Sequence, residues 1–495
     1  MTFLDLTDLA GPFTRLDVEW HGTPDGPECP LSFNQVNHLA AFRATGRSTW
    51  IGGTLPVAGV EADAVADALR RVLARHEALR CVPGVIRGPD EHLRGHAPQR
   101  LVAREHPAQG APLQRAYGPG QVTVGVGGPG RDLEAAMDAA CVPGRVPGLF
   151  AGLVDGTLVV GVDHFHVDML SVEIVLRELH GLLGAGGDGT DGGEGADGAD
   201  GAAGTSPAAR ADEPEVPSFT QVRTVGEVAA AAGAATPATP TSPSGGDPST
   251  PTPDRTDSDR TDADRRALDV WRRFFARTGG RIPAAPVELL DPVPVDGPSS
   301  ATAASALPAP AHRDIDLVPA DRMTGDLGER TFAVALTELA RALEPETGRA
   351  ELPVVIPVHT RGGRRSPLHD LVGWFVTNAP VIADARDVDA TRAWLRDAVA
   401  VAGLPLERVF AEFTPDLPAG GIFMVSSVDF RARGPRIPGA RYISATSPTA
   451  TLQLWFSRTD DAGLSVRVRH PGTRRADEVV TRILERLRRG LARHA

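Results

Sequence analysis

The sequence predicts an α/β (α+β) protein with two ordered regions, and three observations lead there. The chain has 495 residues, more than one hydrophobic core ordinarily organises. Apolar strand-like runs alternate with amphipathic helical patterns in both halves. Between the halves, residues 184–264 are built almost wholly from Gly, Asp, Ala, Ser, Thr and Pro. Such a stretch buries too little apolar surface to offset its ordering entropy, so it reads as a mostly disordered linker. The expected organisation is therefore a first lobe over 1–183, the linker over 184–264, and a second lobe over 265–495.

In the first lobe, residues 61–80 read as one amphipathic helix, with Val65, Leu69, Val72, Leu73 and His76 at helical spacing. A strand follows at 121–126 and a helix at 133–140. Residues 157–162 are a continuous β-branched and apolar run, as in a strand buried on both faces. It runs into Asp163, His164, Phe165, His166, Val167, Asp168, Met169, Leu170 and Ser171, after which a helix with a Leu170, Ile174, Val175, Leu179 and Leu182 stripe continues to 183. Glu173 and Arg177 on that helix are spaced for an i,i+4 ion pair. One island of the linker, 216–228, keeps enough apolar residues to dock locally.

In the second lobe, Ala267, Val270, Trp271, Phe274 and Phe275 form a helical face, followed by Pro-rich extended chain to about 310. A helix over 331–343, a buried strand over 353–358 and an apolar run over 370–378 come next. Strands are expected at 421–429, 452–458 and 464–468, and a basic amphipathic helix over 476–491.

Apolar residues are 41% of the chain, enough for substantial cores. The net charge of −12 argues against general nucleic-acid binding, which needs cationic surface to displace counterions. Cys29, Cys81 and Cys141 are scattered and odd in number, which fits a reducing compartment rather than a disulfide framework. Residues 1–9 lack the basic start and apolar run of a signal peptide, and no apolar run is long enough to span a bilayer. A cytoplasmic protein without membrane attachment is expected.

A polar cluster between a buried strand and a helix is a favoured place for chemistry, because the strand end fixes the loop. His164, His166 and Asp168 are the candidates. Histidine, with an ordinary pKa near ~6.5, accepts and returns protons at neutral pH. On a regular strand the three would share one face. If the chain turns into a helix at Asp168, that carboxylate could instead cap Leu170 or Ser171. A purely structural turn remains open. So does a metal site, since His-x-His-x-Asp supplies three ligand types, although the corresponding hydrolase pattern wants a further histidine where Met169 stands.

The rest of the chain bears on the choice. The 163–171 segment resembles the His-His-x-x-x-Asp-Gly signature of the condensation-domain family of nonribosomal peptide assembly, within the CoA-dependent acyltransferase superfamily. His164 falls on the second histidine, Asp168 on the aspartate and Ser171 on a frequent serine, while Asp163 and Met169 replace the first histidine and the glycine. Pro30-Leu31-Ser32-Phe33-Asn34-Gln35 is similar to the opening block of the family. Arg75-His76-Glu77-Ala78-Leu79-Arg80 is the best single match. Val270-Trp271, residues 357–361, residues 371–378, residues 404–407 and residues 423–430 resemble the later blocks in order.

The resemblance implies two chloramphenicol-acetyltransferase-like lobes in a V-shaped pseudo-dimer with a tunnel between them. It implies an acyl donor carried as a thioester on the phosphopantetheine arm of a carrier protein or on CoA, with no bound cofactor and no metal. The acceptor is a small-molecule amine or alcohol. His164 would act as general base or orienting residue, and Asp168 would hold the loop by pairing with an arginine, for which Arg361 stands in place. His166, Ser171 and Asp163 would support the site, and Met169, Gly373, Phe375 and Asn378 would shape the tunnel. Asp163 beside His164 could raise its pKa or merely replace a non-essential histidine, and Met169 would narrow the channel or need a different turn. No adenylation or carrier-protein sequence accompanies these blocks, so a free-standing enzyme is expected. Its rivals are a catalytically silent condensation-like domain that recruits a partner to an assembly line, and a metallo-hydrolase using His-x-His-x-Asp.

Overall fold

The computed structural model describes residues 3–9, 11–83, 113–143, 148–184, 217–219, 257–291, 307–363, 365–418, 421–433 and 436–495. In the first half the elements are β1 (Phe13–Trp20), β2 (Cys29–Pro30), α1 (Phe33–Thr45), β3 (Trp50–Pro56), α2 (Ala62–Arg75), β4 (Cys81–Pro83), β5 (Leu113–Ala116), β6 (Val122–Gly130), α3 (Leu133–Ala140), β7 (Leu149–Val154), β8 (Thr157–Asp163) and α4 (Met169–Gly184). In the second half they are α5 (Asp257–Thr278), β9 (Pro310–Val318), α6 (Gly325–Glu329), α7 (Thr331–Thr347), β10 (Glu351–His359), β11 (Val376–Asp384), α8 (Val388–Val401), α9 (Leu406–Phe413), β12 (Met424–Asp429), β13 (Arg441–Ser444), β14 (Gln453–Thr459), β15 (Gly463–Pro471) and α10 (Arg474–Leu491).

Two six-stranded sheets organise these elements. The first has the order β13-β3-β8-β7-β1-β6 and the second β11-β10-β12-β14-β15-β9. Every pairing in the first is antiparallel, whereas β12 runs parallel to both β10 and β14 in the second. β13 lies far along the chain yet completes the first sheet, with Tyr442 opposite Gly53 and Ile443 opposite Gly52. Its Tyr442 hydroxyl donates to the buried Glu173 carboxylate, which also pairs with Arg177 at 2.5 Å.

Local sequence explains the parts that carry the site. β7 and β8 are joined by Asp155 and Gly156, both at positive φ, a two-residue hairpin turn these residue types permit. The hairpin delivers β8, buried along most of its length, with its last residue at Asp163. Gly53 on β3 lets α4 approach, since a Cβ there would run into Leu176 and the Arg441 carbonyl.

The expected helix over 61–80 is two elements. α2 stops at Arg75, His76 is extended, and a 3₁₀ turn covers Glu77–Arg80. The break turns His76 inward, where it meets Glu178 at 2.8 Å. The Pro-rich stretch before 310 gives way to a full strand, β9, that sequence reading passed over. α5 begins at Asp257, ahead of the expected boundary.

Two large cores result. One is built from second-half residues around Trp271, Phe274 and Phe456. The other, hereafter the first core, combines first-half residues with Phe219, Leu368, Leu371, Val372, Phe375, Phe430 and Tyr442. Each such large apolar side chain taken fully out of water contributes about 1.5–3 kcal/mol, so the first core is stabilised by both halves of the chain. Phe219 is the described part of the linker island; it stacks edge-on against Phe375, and Ser218 bonds Glu77 at 2.8 Å. The remainder of that island lies outside the described residues.

Candidate functional site

The site forms where β8 ends. Residues 164–166 make a turn, and α4 starts at Met169. Asp168 closes the helix start: its Oδ1 accepts the Ser171 N–H at 2.9 Å and lies 2.9 Å from the Ser171 hydroxyl. Arg361 donates to both carboxylate oxygens, at 2.6 and 2.9 Å, and Oδ2 also accepts the Phe375 N–H at 3.0 Å. Arg361 is fully enclosed, donates further to the carbonyls of Leu371 and Gly373, and lies 4.9 Å from the Phe375 ring centre. Burial pushes the Asp168 carboxyl up, but the Arg361 guanidinium and the Ser171 hydrogen bonds outweigh it and hold the group below the usual carboxylate range.

His164 is half-buried beside this clamp, its N–H bonded to the Thr49 carbonyl at 2.9 Å. Its ring stacks at 4.2 Å on Trp374, and Nδ1 is enclosed without a partner on any other described residue. Burial first, and then the neighbouring His38, lower its pKa, so the imidazole is neutral at pH 7. The expected shared face for His164, His166 and Asp168 does not form, because the strand ends at Asp163 and the chain turns at once. His166 points into the protein, where Nδ1 meets the Ala78 carbonyl at 2.9 Å and therefore carries the proton. Burial lowers its pKa too. Among the described residues no three metal-ligating side chains gather. His166 and Asp168 are each committed to other partners.

Asp163 does not engage the His164 ring. Its buried carboxylate accepts from His38 at 2.8 Å, from the Phe165 N–H at 2.9 Å and from the Ser48 hydroxyl. It favours protonation of His164, but burial and His38 prevail, so the net shift is downward, not upward. Met169 takes up the first helical position of α4 and packs against the first core.

Elements from both halves brace the turn. Ser32 and Gln35 form a capping box at the start of α1. Gln35 also donates to the Phe165 carbonyl at 3.0 Å, and Asn34 donates to the Val376 carbonyl at 2.7 Å. Gly373 exchanges hydrogen bonds with the Ser171 hydroxyl, and a Cβ on it would run into the rings of Phe219 and Phe375. Phe375 is buried in the first core. Asn378 is half-buried on β11, opposite Pro357. Sequence reasoning assigned no role to His38, Trp374 or Gln35. Trp374 and Gln35 stood inside blocks that the resemblance had marked, whereas nothing in the local sequence singles out His38.

No family model and no curated protein matches the sequence. Solved structures do match. The chain is similar to the PapA2 acyl transferase at 16% identity over 100% of this chain and 99% of that one, with a TM-score of 0.67. It is similar to the first condensation domain of the calcium-dependent antibiotic synthetase in complex with a substrate analogue, at 16% identity over 95% and 97% of the two chains, with a TM-score of 0.56. The starter condensation domain of rhizomide synthetase RzmA in complex with C8-CoA, in a mutant form, matches at 13% identity over 94% and 95%, with a TM-score of 0.56. The chain thus has the two-lobed fold shared by these condensation domains and the PapA2 acyl transferase. Among the described residues no helix is long and apolar enough to cross a membrane.

Proposed function

We propose that this protein is a condensation-type acyltransferase that joins an acyl thioester to an amine or alcohol acceptor. The observation that carries the proposal is His164: a neutral imidazole whose Nδ1 has no partner on any other described residue, on a turn locked by the Asp168–Arg361 clamp. A neutral ring is ready to take a proton, and a locked turn holds it where a substrate must come. The donor would be carried on the phosphopantetheine arm of a carrier protein or on CoA. The acceptor heteroatom attacks the thioester carbonyl and the new C–N or C–O bond forms. The C–S bond breaks, and the acceptor's proton passes through His164 to the departing thiolate. The step balances without a resident cofactor or a covalent enzyme intermediate.

A second reading, a silent condensation-like domain that recruits a partner, draws support from Trp374, whose ring covers His164 at 4.2 Å. The test compares wild type with His164→Ala on acyl-pantetheine thioesters and a mixed panel of amines and alcohols, reading products by mass. A positioned general base contributes about 10²- to 10⁴-fold, so a loss of that size supports acyl transfer. Equal product from both proteins removes His164 from the mechanism. Product from neither, with a carrier protein co-purifying, favours recruitment.

A further inference from the structure

Asp163, which precedes His164 at the end of β8, is met by a histidine from α1. His38 meets the Asp163 carboxylate at 2.8 Å, its side chain only 8% exposed and that of Asp163 fully enclosed. Asp163 accepts from three donors, His38, Ser48 and the Phe165 N–H, so it is an ionised acceptor and His38 Nε2 carries the hydrogen. In the neutral His38 ring the free lone pair is then on Nδ1. The His38 ring lies 6.5 Å from that of His164, and both pack on Trp374, at 5.8 and 4.2 Å. The titratable groups facing this pair are Asp163 and Asp168, the latter matched by Arg361.

Resting on the acyl-transfer reading, we propose that Asp163–His38 is a second proton-accepting dyad and that the acceptor is an amine. An alcohol has one proton to lose. An amine at neutral pH arrives as an ammonium ion, with a pKa near ~10 by analogy with lysine, and must lose two. His38 takes the first proton, leaving a free amine and an imidazolium paired to Asp163. The amine nitrogen attacks the thioester carbon, the C–N bond forms and the C–S bond breaks. The second proton goes to His164 and on to the thiolate, while His38 releases its proton to solvent.

The test uses full-length wild type, His38→Gln, Asp163→Asn and Ser48→Ala with two readouts. Diethyl pyrocarbonate labelling, mapped by mass spectrometry, needs no substrate. His38 and His164 should react while the buried His166 and His76 stay protected, and Asp163→Asn should slow His38 several-fold. Should Asp163→Asn fail to fold, Ser48→Ala removes one bond to the same carboxylate and should slow His38 more mildly. A His38 that resists while His164 reacts overturns the dyad.

The second readout is octanoyl-pantetheine turnover with primary amines and with alcohols, from about pH 6 to about pH 9. His38→Gln should cost roughly tenfold more with amines than with alcohols near neutral pH, the difference shrinking as pH rises. An equal loss for both acceptor types at every pH overturns the amine assignment. Asp163-dependent labelling of His38 in a wild type that turns over neither acceptor type keeps the dyad and removes the acyl-transfer reading.

Discussion

Arg361 grips Asp168 at two points, Nη1 on Oδ2 at 2.6 Å and Nη2 on Oδ1 at 2.9 Å, across 193 residues of sequence. Both side chains are enclosed, so neither charge has water to fall back on. Removing the cation leaves the carboxylate stranded, a loss of about 3–5 kcal/mol for a buried pair. Arg361→Met should lower the urea midpoint accordingly, and Asp168→Leu added to it should recover part of the loss. A single-variant cost below about 1 kcal/mol, the range of exposed pairs, would sink the clamp.

The same pair makes stability depend on acid. A carboxyl held below its ordinary value adds stability that is fully present above the unfolded pKa, near ~3.9, and is lost as pH falls through the folded one. Denaturation midpoints followed from neutral pH downwards should drop more steeply below about pH 4 in the wild type than in Asp168→Asn. Parallel curves would mean that the carboxyl is not depressed.

On the proposed reading, His164 sets the acid-side limb of the activity profile. Its depressed pKa places the acid-side fall of kcat/KM below the ordinary histidine value of about 6.5. His38 helps to lower it, so His38→Gln should move that limb to higher pH. A limb unmoved, or moved to lower pH, would contradict the coupling of the two rings.

β13 is held to the first sheet by a buried polar contact as well as by its backbone. Tyr442→Phe strips one partner from Glu173, a loss of about 1–3 kcal/mol for a buried acceptor, with Arg177 remaining. Hydrogen exchange should quicken at the β13 amides ahead of those of β8, because an edge strand opens before a central one. Uniform acceleration across the sheet would show instead that the strand does not open on its own.

Met169→Gly restores the residue type of the family signature yet should destabilise this protein. Glycine costs about 1 kcal/mol within a helix, and the contact of Met169 with the first core is lost in addition. Thermal unfolding checks the sign. A gain in stability would place the side chain outside that core.

How much of this was legible in the sequence varies with the range of the interactions. β8 and α4 were readable because a β-branched run and a helical stripe are local patterns, and both elements lie within a residue or two of where periodicity put them. β9 was hidden by prolines that sit at its start, and β13 by its length, since Arg441–Ser444 offers too few residues to show alternation. Arg361 was reachable only through family resemblance, its own neighbourhood being a run of glycine and arginine that reads as a solvent-facing turn. His38 was out of reach altogether. Its partner is set by how α1 crosses the end of β8, a tertiary fact that leaves no trace in residues 33–45.

The placement of β13 also has a bearing on how the chain is made. Sheets at the amino-terminal end of a large protein ordinarily assemble while synthesis continues behind them. Here the β3 edge of the first sheet faces a strand, Arg441–Ser444, that is synthesised hundreds of residues later. The nascent first half therefore waits with an open edge and no Tyr442 for Glu173 until Arg441–Ser444 has been made.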